Sequence, residues 1–287
     1  DTSIATNTIN YISQKFEGQM LQHLAKGTSG AKSTTLSFFC KSNLTGTFTI
    51  NFIDMDNTRM FSTSYSLASA NTWEKITINV PADTTGALDN DNASSYRINW
   101  NLQAGTDKTG GALTTAWEAQ AEGDRAVGQT NFYSSTDNNW YITGVQWEVG
   151  DAATDFERLP HDVQLTRCCR YYWRPVQGNA STSEYVGLGD FYASNQVDTD
   201  FRHITPMRTQ PTLDQGTGTD YYKYYYGQTA DGTVDGAWTY WIGNEHISSI
   251  YATASDAVGT SNAGKACRII AQTTGGTSAY LALSAEL

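Results

Sequence analysis

The residues with the most distinctive chemistry in this chain are aromatic. Five tyrosines stand in the six positions 221–226, and two tryptophans follow shortly after. Aromatic rings stack on the apolar faces of sugars, while nearby polar side chains bind the hydroxyls. In a strand, alternate residues point to opposite faces, so part of this run must point away from the core. We therefore predict glycan contacts among Tyr222, Tyr224, Tyr226, Trp238 and Trp241.

Burial is the alternative interpretation of the same aromatic residues. One face of the strand could pack in the core and the other against a neighbouring subunit, since Tyr and Trp are enriched at interfaces. Two further tryptophans, Trp100 and Trp117, could line the concave face of a β-sandwich or pack in its core. For these two residues the sequence favours core packing.

Acid–amide clusters suggest a calcium site. Asp89 and Asp91 stand in the run Asp-Asn-Asp-Asn, and Asp54, Asp56 and Asn57 form a second cluster. Carboxylate and amide oxygens are the ligands that Ca²⁺ prefers, although neither cluster fits the twelve-residue helix–loop–helix pattern. The alternative is a solvated turn in which Asp and Asn bond to the local backbone. No other cofactor is expected.

The search for catalytic motifs gives no candidate. The chain contains no Gly-x-Ser-x-Gly, His-Glu-x-x-His, Gly-x-x-x-x-Gly-Lys-Ser/Thr or Gly-x-Gly-x-x-Gly sequence. Its four histidines are scattered without the spacing of metal ligands. Glycosidase chemistry needs two carboxylates that flank a sugar, but a chain with 29 acidic residues always offers such pairs. We therefore predict that the protein is not an enzyme.

Composition and charge limit the classes of partner. The net charge is −11, and residues 1–158 and 159–287 are both acidic. An acidic chain lacks the positive surface that nucleic acids and anionic membranes attract, so we expect no nucleic-acid binding. No apolar run of the sequence is long enough to span a membrane, so we expect no membrane insertion. The four cysteines form no Cys-x-x-Cys pair, and we expect buried, reduced thiols.

Short alternating segments predict strands along most of the chain. In the first part they fall at 34–40, 45–53, 60–67, 73–80, 96–102 and 140–149, with turn residues between them. Residues 103–138 are rich in Gly, Ala, Thr and Asp and predict a long loop or weak strands. Such a series predicts an antiparallel sandwich within residues 1–158.

A helix and a second strand series follow. Leu165, Cys168, Cys169 and Tyr172 recur at the spacing of one helix face, which predicts a linker helix within residues 159–175. Further strands are predicted at 185–193, 199–204, 221–226, 237–242, 247–252, 267–271 and 278–283. We therefore expect an all-β protein in which a short helix joins the sandwich to a second β domain at residues 176–287.

Several motifs resemble segments of bacteriophage tail fibres and fibre-like appendages. Residues 141–158 (Tyr-Ile-Thr-Gly-Val-Gln-Trp-Glu-Val-Gly onward) resemble the last strand of a jelly-roll domain in those proteins, and residues 168–172 resemble the helix after it. Residues 32–41, 70–80 and 83–91 resemble further segments of the same domain, in the same order. The resemblance implies a jelly roll similar to carbohydrate-binding modules. It also implies a few more strands before residues 1–4, and hence a longer polypeptide.

The resemblance implies a function in binding and assembly. We expect a virion surface protein, made in the bacterial cytoplasm, that assembles with other virion structural proteins as a homotrimer and binds host surface glycans. The main alternative is a capsid-attached decoration or head-fibre protein. A polysaccharide depolymerase and a secreted carbohydrate-binding module are further alternatives.

Overall fold

The computed structural model describes residues 4–226, 230–234, 236–254 and 263–287. The chain forms two compact units, residues 1–158 together with Leu287, and residues 159–286. Both are built from antiparallel sheets, which confirms the prediction of an all-β protein. In the described ranges the one α-helix has nine residues, and no helix is long and apolar enough to cross a membrane.

The first unit is a sandwich of two antiparallel sheets. Its strands are β1 (Ile9–Glu17), β2 (Thr34–Ser42), β3 (Gly46–Asp54), β4 (Arg59–Leu67), β5 (Glu74–Val80), β6 (Ser94–Ala104), β7 (Glu118–Ala119) and β8 (Trp140–Val149). One sheet has the order β1-β6-β3-β4-β7 and the other has the order β5-β2-β8. Between β6 and β8 the chain is mainly loop and short 3₁₀ turns, as the composition of residues 103–138 predicts.

Alternation along the strands builds the core of this sandwich. In β2, Leu36, Phe38 and Cys40 are buried between the sheets, whereas Phe39 points outward. In β6, Ile98 and Trp100 enter the same core. Burial of each large apolar side chain contributes roughly 1.5–3 kcal/mol, so this interior is the main source of stability in the unit.

A buried lysine fixes the loops at one end of the sandwich. The Lys26 ammonium contacts the carboxylates of Asp54 and Asp83. It also donates hydrogen bonds to the carbonyl oxygens of Thr85 and Gly86, at 3.1 and 2.9 Å. This one cation therefore joins its own loop to the end of β3 and to the loop after β5.

Arg59 extends this ion network. Its Nε donates to Asp83 Oδ2 at 2.8 Å and its Nη2 donates to Asp83 Oδ1 at 3.0 Å. Burial by itself would raise the pKa of Asp83, but the hydrogen bonds from Arg59 and Lys26 outweigh it and hold that pKa below its ordinary value. The Asp83 carboxylate is therefore stabilised in its charged form.

The second unit begins with the helix α1 (His161–Cys169). Its strands are β9 (Tyr172–Val176), β10 (Glu184–Ala193), β11 (Gln196–Arg202), β12 (Thr212–Gln215), β13 (Tyr222–Tyr226), β14 (Ala230–Val234), β15 (Thr239–Gly243), β16 (Ile247–Thr253), β17 (Ala266–Ala271) and β18 (Leu281–Ser284). A seven-stranded sheet has the order β14-β13-β17-β10-β11-β16-β15, and a three-stranded sheet has the order β12-β18-β9.

The helix differs from the sequence prediction in extent and in burial. It ends at Cys169, and Tyr172 already lies in β9. Leu165 and Cys168 are exposed, whereas Cys169 is buried. The predicted apolar stripe is therefore wrong: of its four members, Cys169 is the one buried in the helix, and Tyr172 lies three residues beyond the helix end.

Candidate functional site

A groove of about 230 Å³ lies on the outer face of the seven-stranded sheet. It is formed by four strands that are neighbours in the sheet, in the order β10-β11-β16-β15. It is lined by Leu188, Gly189, Asp190, Tyr192, Asp198, Thr199, Asp200, Trp241 and Ser249. Aromatic rings and carboxylates thus share one depression, and none of these lining residues is basic.

Strand alternation places the lining side chains on this face. In β10, Phe191 is fully buried in the core, and the residues on either side of it, Asp190 and Tyr192, are exposed. In β11, Val197 and Phe201 are buried, which turns Asp198 and Asp200 to the opposite face. Because the apolar residues of both strands point into the core, the aspartates that alternate with them point into the groove.

Two aromatic side chains form one wall of the groove. Trp241 is 51% exposed and Tyr192 is 63% exposed. Their ring centroids are 5.4 Å apart with an interplanar angle of 65°. The pairing of β15 with β16 shifts register between Tyr240 and Ile242, beside Trp241. This half-exposed ring pair offers a large apolar surface to a ligand.

Three aspartates stand beside the aromatic wall. Asp190 and Asp198 are directly paired across β10 and β11, and Asp200 follows two residues along β11. Burial raises the pKa of Asp198, and the charges of Asp190 and Asp200 raise it further, against a hydrogen bond from Gln196. Like charges directly opposite each other on a sheet are destabilising. The aspartates therefore give the groove hydrogen-bond acceptors, but their mutual repulsion lowers the stability of the fold.

Gly189 allows the strands to approach closely beneath the groove. A Cβ atom at this position would lie 2.1 Å from the backbone oxygen of Asp198. No side chain fits there without separation of β10 from β11. Glycine at this position therefore preserves the pairing that holds Asp190 against Asp198.

This arrangement suits a polyhydroxylated ligand. The rings of Trp241 and Tyr192 can stack on the apolar face of a sugar, and the aspartates can accept hydrogen bonds from its hydroxyls. No protein-family model matches this chain, and no curated protein matches it.

The other aromatic candidates contact protein instead. Trp100, Tyr222, Tyr224 and Trp238 are buried in the cores of the two units. Trp117 and Tyr226 are half-buried and pack against those cores. Trp117 also donates a hydrogen bond from its indole Nε1 to the backbone oxygen of Pro81 at 2.8 Å. Of the seven predicted contacts, Trp241 alone offers an exposed ring.

The calcium candidates Asp89 and Asp91 lie on an exposed loop. Asp91 Oδ1 accepts a hydrogen bond from the backbone nitrogen of Ala93, and the backbone nitrogen of Asp89 donates to Asp56 Oδ2. Within the described ranges, no group of three or more His, Cys, Asp or Glu residues could hold a metal ion. The local bonds are those of a turn stabilised by its own side chains.

Tyr192 and the three aspartates of the groove were not among the residues predicted from the sequence. The segment 197–201 carried a usable signal, because Asp198 and Asp200 alternate with Val197, Thr199 and Phe201 in one strand. Alternation of this kind predicts two carboxylates on one face of a sheet. That these aspartates lie close to Trp241 could not be predicted, because their proximity depends on the order in which four strands pair.

Proposed function

We propose that this protein is a non-enzymatic surface protein of a tailed-bacteriophage virion, a component of a tail fibre or similar appendage, and that it binds host surface glycans. The observation that carries the proposal is the half-exposed Trp241–Tyr192 ring pair beside three carboxylates in one groove. The fibre-like sequence motifs of the first unit support the assignment to a virion.

Assembly with copies of itself would strengthen weak binding at a single groove. A homotrimer would present several grooves to one cell surface, and linked weak sites bind far more tightly than one site. Two large apolar side chains on the second unit, Tyr185 and Ile242, are exposed in the single chain. They support a contact with a neighbouring subunit or with another virion protein, because tyrosine is enriched at interfaces and a contact would remove the apolar surface of both residues from water.

Synthesis in the bacterial cytoplasm fits the state of the cysteines. All four are free thiols in the structure, and three of them are buried. Reducing compartments keep such thiols unpaired. Placement on the virion surface follows from the proposed attachment to host glycans. Nucleic acid is not among the proposed partners, because both halves of the chain are acidic.

Glycan binding at the groove can be tested with the full chain and a neutral polysaccharide purified from a candidate host. We expect calorimetry to detect binding by the wild-type protein. Trp241→Ala should abolish this binding, and Asp198→Asn should weaken it. Trp73→Ala is the matched control, because Trp73 is a similarly exposed tryptophan in the other unit. Equal loss of binding in both tryptophan variants, or retained binding in Trp241→Ala, would remove the groove from the proposal.

The enzymatic alternative can be tested with the same material. A binding protein leaves the polysaccharide intact, whereas a depolymerase releases reducing ends that disappear in Asp198→Asn or Asp190→Asn. Electron microscopy of whole particles separates a tail appendage from a head fibre. Density for this chain on the capsid shell would contradict the tail assignment.

A further inference from the structure

A second polar site lies in the first unit, on the face of the five-stranded sheet that points away from the core. Residues of β6 that alternate with the buried Ile98 and Trp100 point to this face, among them Arg97, Asn99 and Asn101. In the register of β1 with β6, Tyr11 lies opposite Asn101 and Ser13 lies opposite Asn99. Arg125 approaches the same face from the loop that precedes β8, since its backbone oxygen accepts hydrogen bonds from Asn51 and Asn101. We call Tyr11, Arg97, Asn99 and Arg125 the arginine–asparagine cluster.

Several polar atoms of this cluster are buried without a hydrogen-bond partner. Asn99 is fully buried, and within the described residues neither atom of its amide group has a partner. The same holds for Nε of Arg97 and for Nε and Nη2 of Arg125. Buried polar groups are nearly always hydrogen-bonded, because an unsatisfied group loses its water without compensation. A concentration of such atoms in one place points to a missing partner.

The neighbouring asparagine shows what a satisfied amide looks like on this face. Asn51 donates from Nδ2 to Ser62 Oγ and to the backbone oxygen of Arg125, both at 2.8 Å. Asn51 and Asn99 are directly paired across β3 and β6 and are buried to the same extent. The protein therefore satisfies one member of this pair internally and leaves the other unsatisfied.

The unsatisfied atoms are mostly donors, and two of the groups are cationic. The guanidinium carbons of Arg97 and Arg125 lie 5.6 and 5.8 Å from the centroid of the Tyr11 ring. Arg125 uses Nη1 in an ion pair with Glu122 at 3.2 Å, so its other two nitrogens remain for a second acceptor. Guanidinium groups recognise planar anions by paired N–H bonds, and a carboxylate fits that geometry.

We propose that the arginine–asparagine cluster binds the carboxylate of a small ligand, with an acidic sugar such as a uronic acid as the ligand class. The two guanidinium groups donate to the carboxylate oxygens. The Asn99 amide donates to the same ligand and accepts from one of its hydroxyls. Tyr11 is partly exposed and lies against both guanidinium groups, so a ligand that reaches both groups must displace its ring.

This inference is independent of the proposed groove. The cluster belongs to the first unit, and the groove belongs to the second. The two sites share no residue. Carboxylate binding at the cluster should therefore survive Trp241→Ala, and glycan binding at the groove should survive changes in the cluster.

The test is a titration of the full chain with glucuronate, acetate and glucose, followed by ligand-observed NMR and calorimetry. We expect glucuronate to bind, acetate to compete with it, and glucose to bind far more weakly. Arg97→Gln and Arg125→Gln should each weaken glucuronate binding roughly tenfold or more, because hydrogen bonds to charged groups are lost. Arg202→Gln is the matched control, because Arg202 is an exposed arginine of the other unit.

A second variant keeps the test decisive if an arginine variant fails to fold. Ser13 is exposed and lies opposite Asn99, so Ser13→Tyr should fold and block access to the cluster. The proposal is overturned if glucuronate does not bind, because buried water then satisfies the cluster. It is equally overturned if glucose binds as well as glucuronate, or if Ser13→Tyr and the foldable arginine variants bind like the wild type.

Discussion

Trp238 and Trp241 lie three residues apart in the chain, yet the first is 2% exposed and the second is 51% exposed. The Trp238 ring packs edge-on against Tyr222 with ring centroids 5.6 Å apart, whereas the Trp241 ring faces the groove beside Tyr192. The same residue type therefore serves the core at one position and the surface at the other.

This contrast predicts opposite effects of alanine substitution. Trp238→Ala should lower the free energy of unfolding by about 3–5 kcal/mol, because it leaves a cavity in the core. Trp241→Ala should change it by no more than about 0.5 kcal/mol, as expected for a surface position. Urea denaturation monitored by circular dichroism measures the free energy of unfolding of both variants. A large destabilisation by Trp241→Ala would show that its ring is structural.

Asp198→Asn should stabilise the protein while it weakens glycan binding. Because the pKa of Asp198 is raised, the folded state holds this proton to higher pH than the unfolded chain does. The charged form is therefore unfavourable at neutral pH, and its penalty disappears as the pH falls through the raised pKa towards the ordinary value of 3.8. Asp198→Asn should raise the free energy of unfolding, measured by urea denaturation, and the increase should be larger at pH 7 than at pH 4. The control is Asp137→Asn, at an exposed position of the first unit.

Lys26→Met should destabilise the first unit strongly. The substitution leaves Asp54 and Asp83 buried without the ammonium that contacts both. Removal of one partner from a buried ion network costs about 3–5 kcal/mol. Lys32→Met is the matched control, because Lys32 is exposed and lies six residues further along the chain. Similar unfolding midpoints for the two variants in urea would contradict the role of the network.

The first unit should lose stability in acid. Partial burial would raise the pKa of Glu122, but hydrogen bonds from Lys108 and Gln120 and the charge of Arg125 lower it to about 2. Since the folded pKa lies below the ordinary value of 4.5, the contribution of Glu122 is complete above pH 4.5 and is lost as the pH falls towards 2. The pKa of Asp83 is also lowered in the folded protein, so protonation of Asp83 in acid destabilises the unit as well.

Thermal unfolding between pH 7 and pH 2 measures this acid sensitivity. Glu122→Gln should flatten the pH dependence below pH 4.5, whereas the nearby and exposed Glu118→Gln should leave it unchanged. An unchanged profile in Glu122→Gln would show that other carboxylates govern acid unfolding.

One thiol of the four should react quickly with a thiol reagent. Burial raises the pKa of Cys40 and Cys267 to about 12, and it also raises the pKa of Cys169. Thiolates are the reactive species, so these three should react only when the protein unfolds. Cys168 is exposed on the helix. Titration of native protein with Ellman's reagent should show one fast thiol per chain, and Cys168→Ser should remove it.

Strong alternation made much of the fold predictable. Leu36, Phe38 and Cys40 mark β2 because these apolar core residues alternate with Ser37, Phe39 and Lys41 on the opposite face of the strand. The strand β1 escaped prediction because Gln14 occupies the same face as Phe16, so a polar residue interrupts the pattern. Likewise, Tyr172 stands at helical spacing from Cys169 but begins β9.

The candidate site was predictable only in part. Trp241 was found because aromatic density is a local property of the sequence. Its partners come from three other strands, and only the register of those strands brings Asp190, Asp198 and Tyr192 beside it. The unsatisfied amide of Asn99 likewise has no signature in sequence, since the satisfied Asn51 is the same residue type on the same sheet face.

The ammonium of Lys26 has a consequence for where the protein can work. Proteins often hold acidic loops together with an exchangeable ion, which dilution or a chelator can remove. Here the cation that contacts Asp54 and Asp83 is covalently attached to the chain. This end of the sandwich therefore keeps its counter-charge whatever the salt composition of the surroundings.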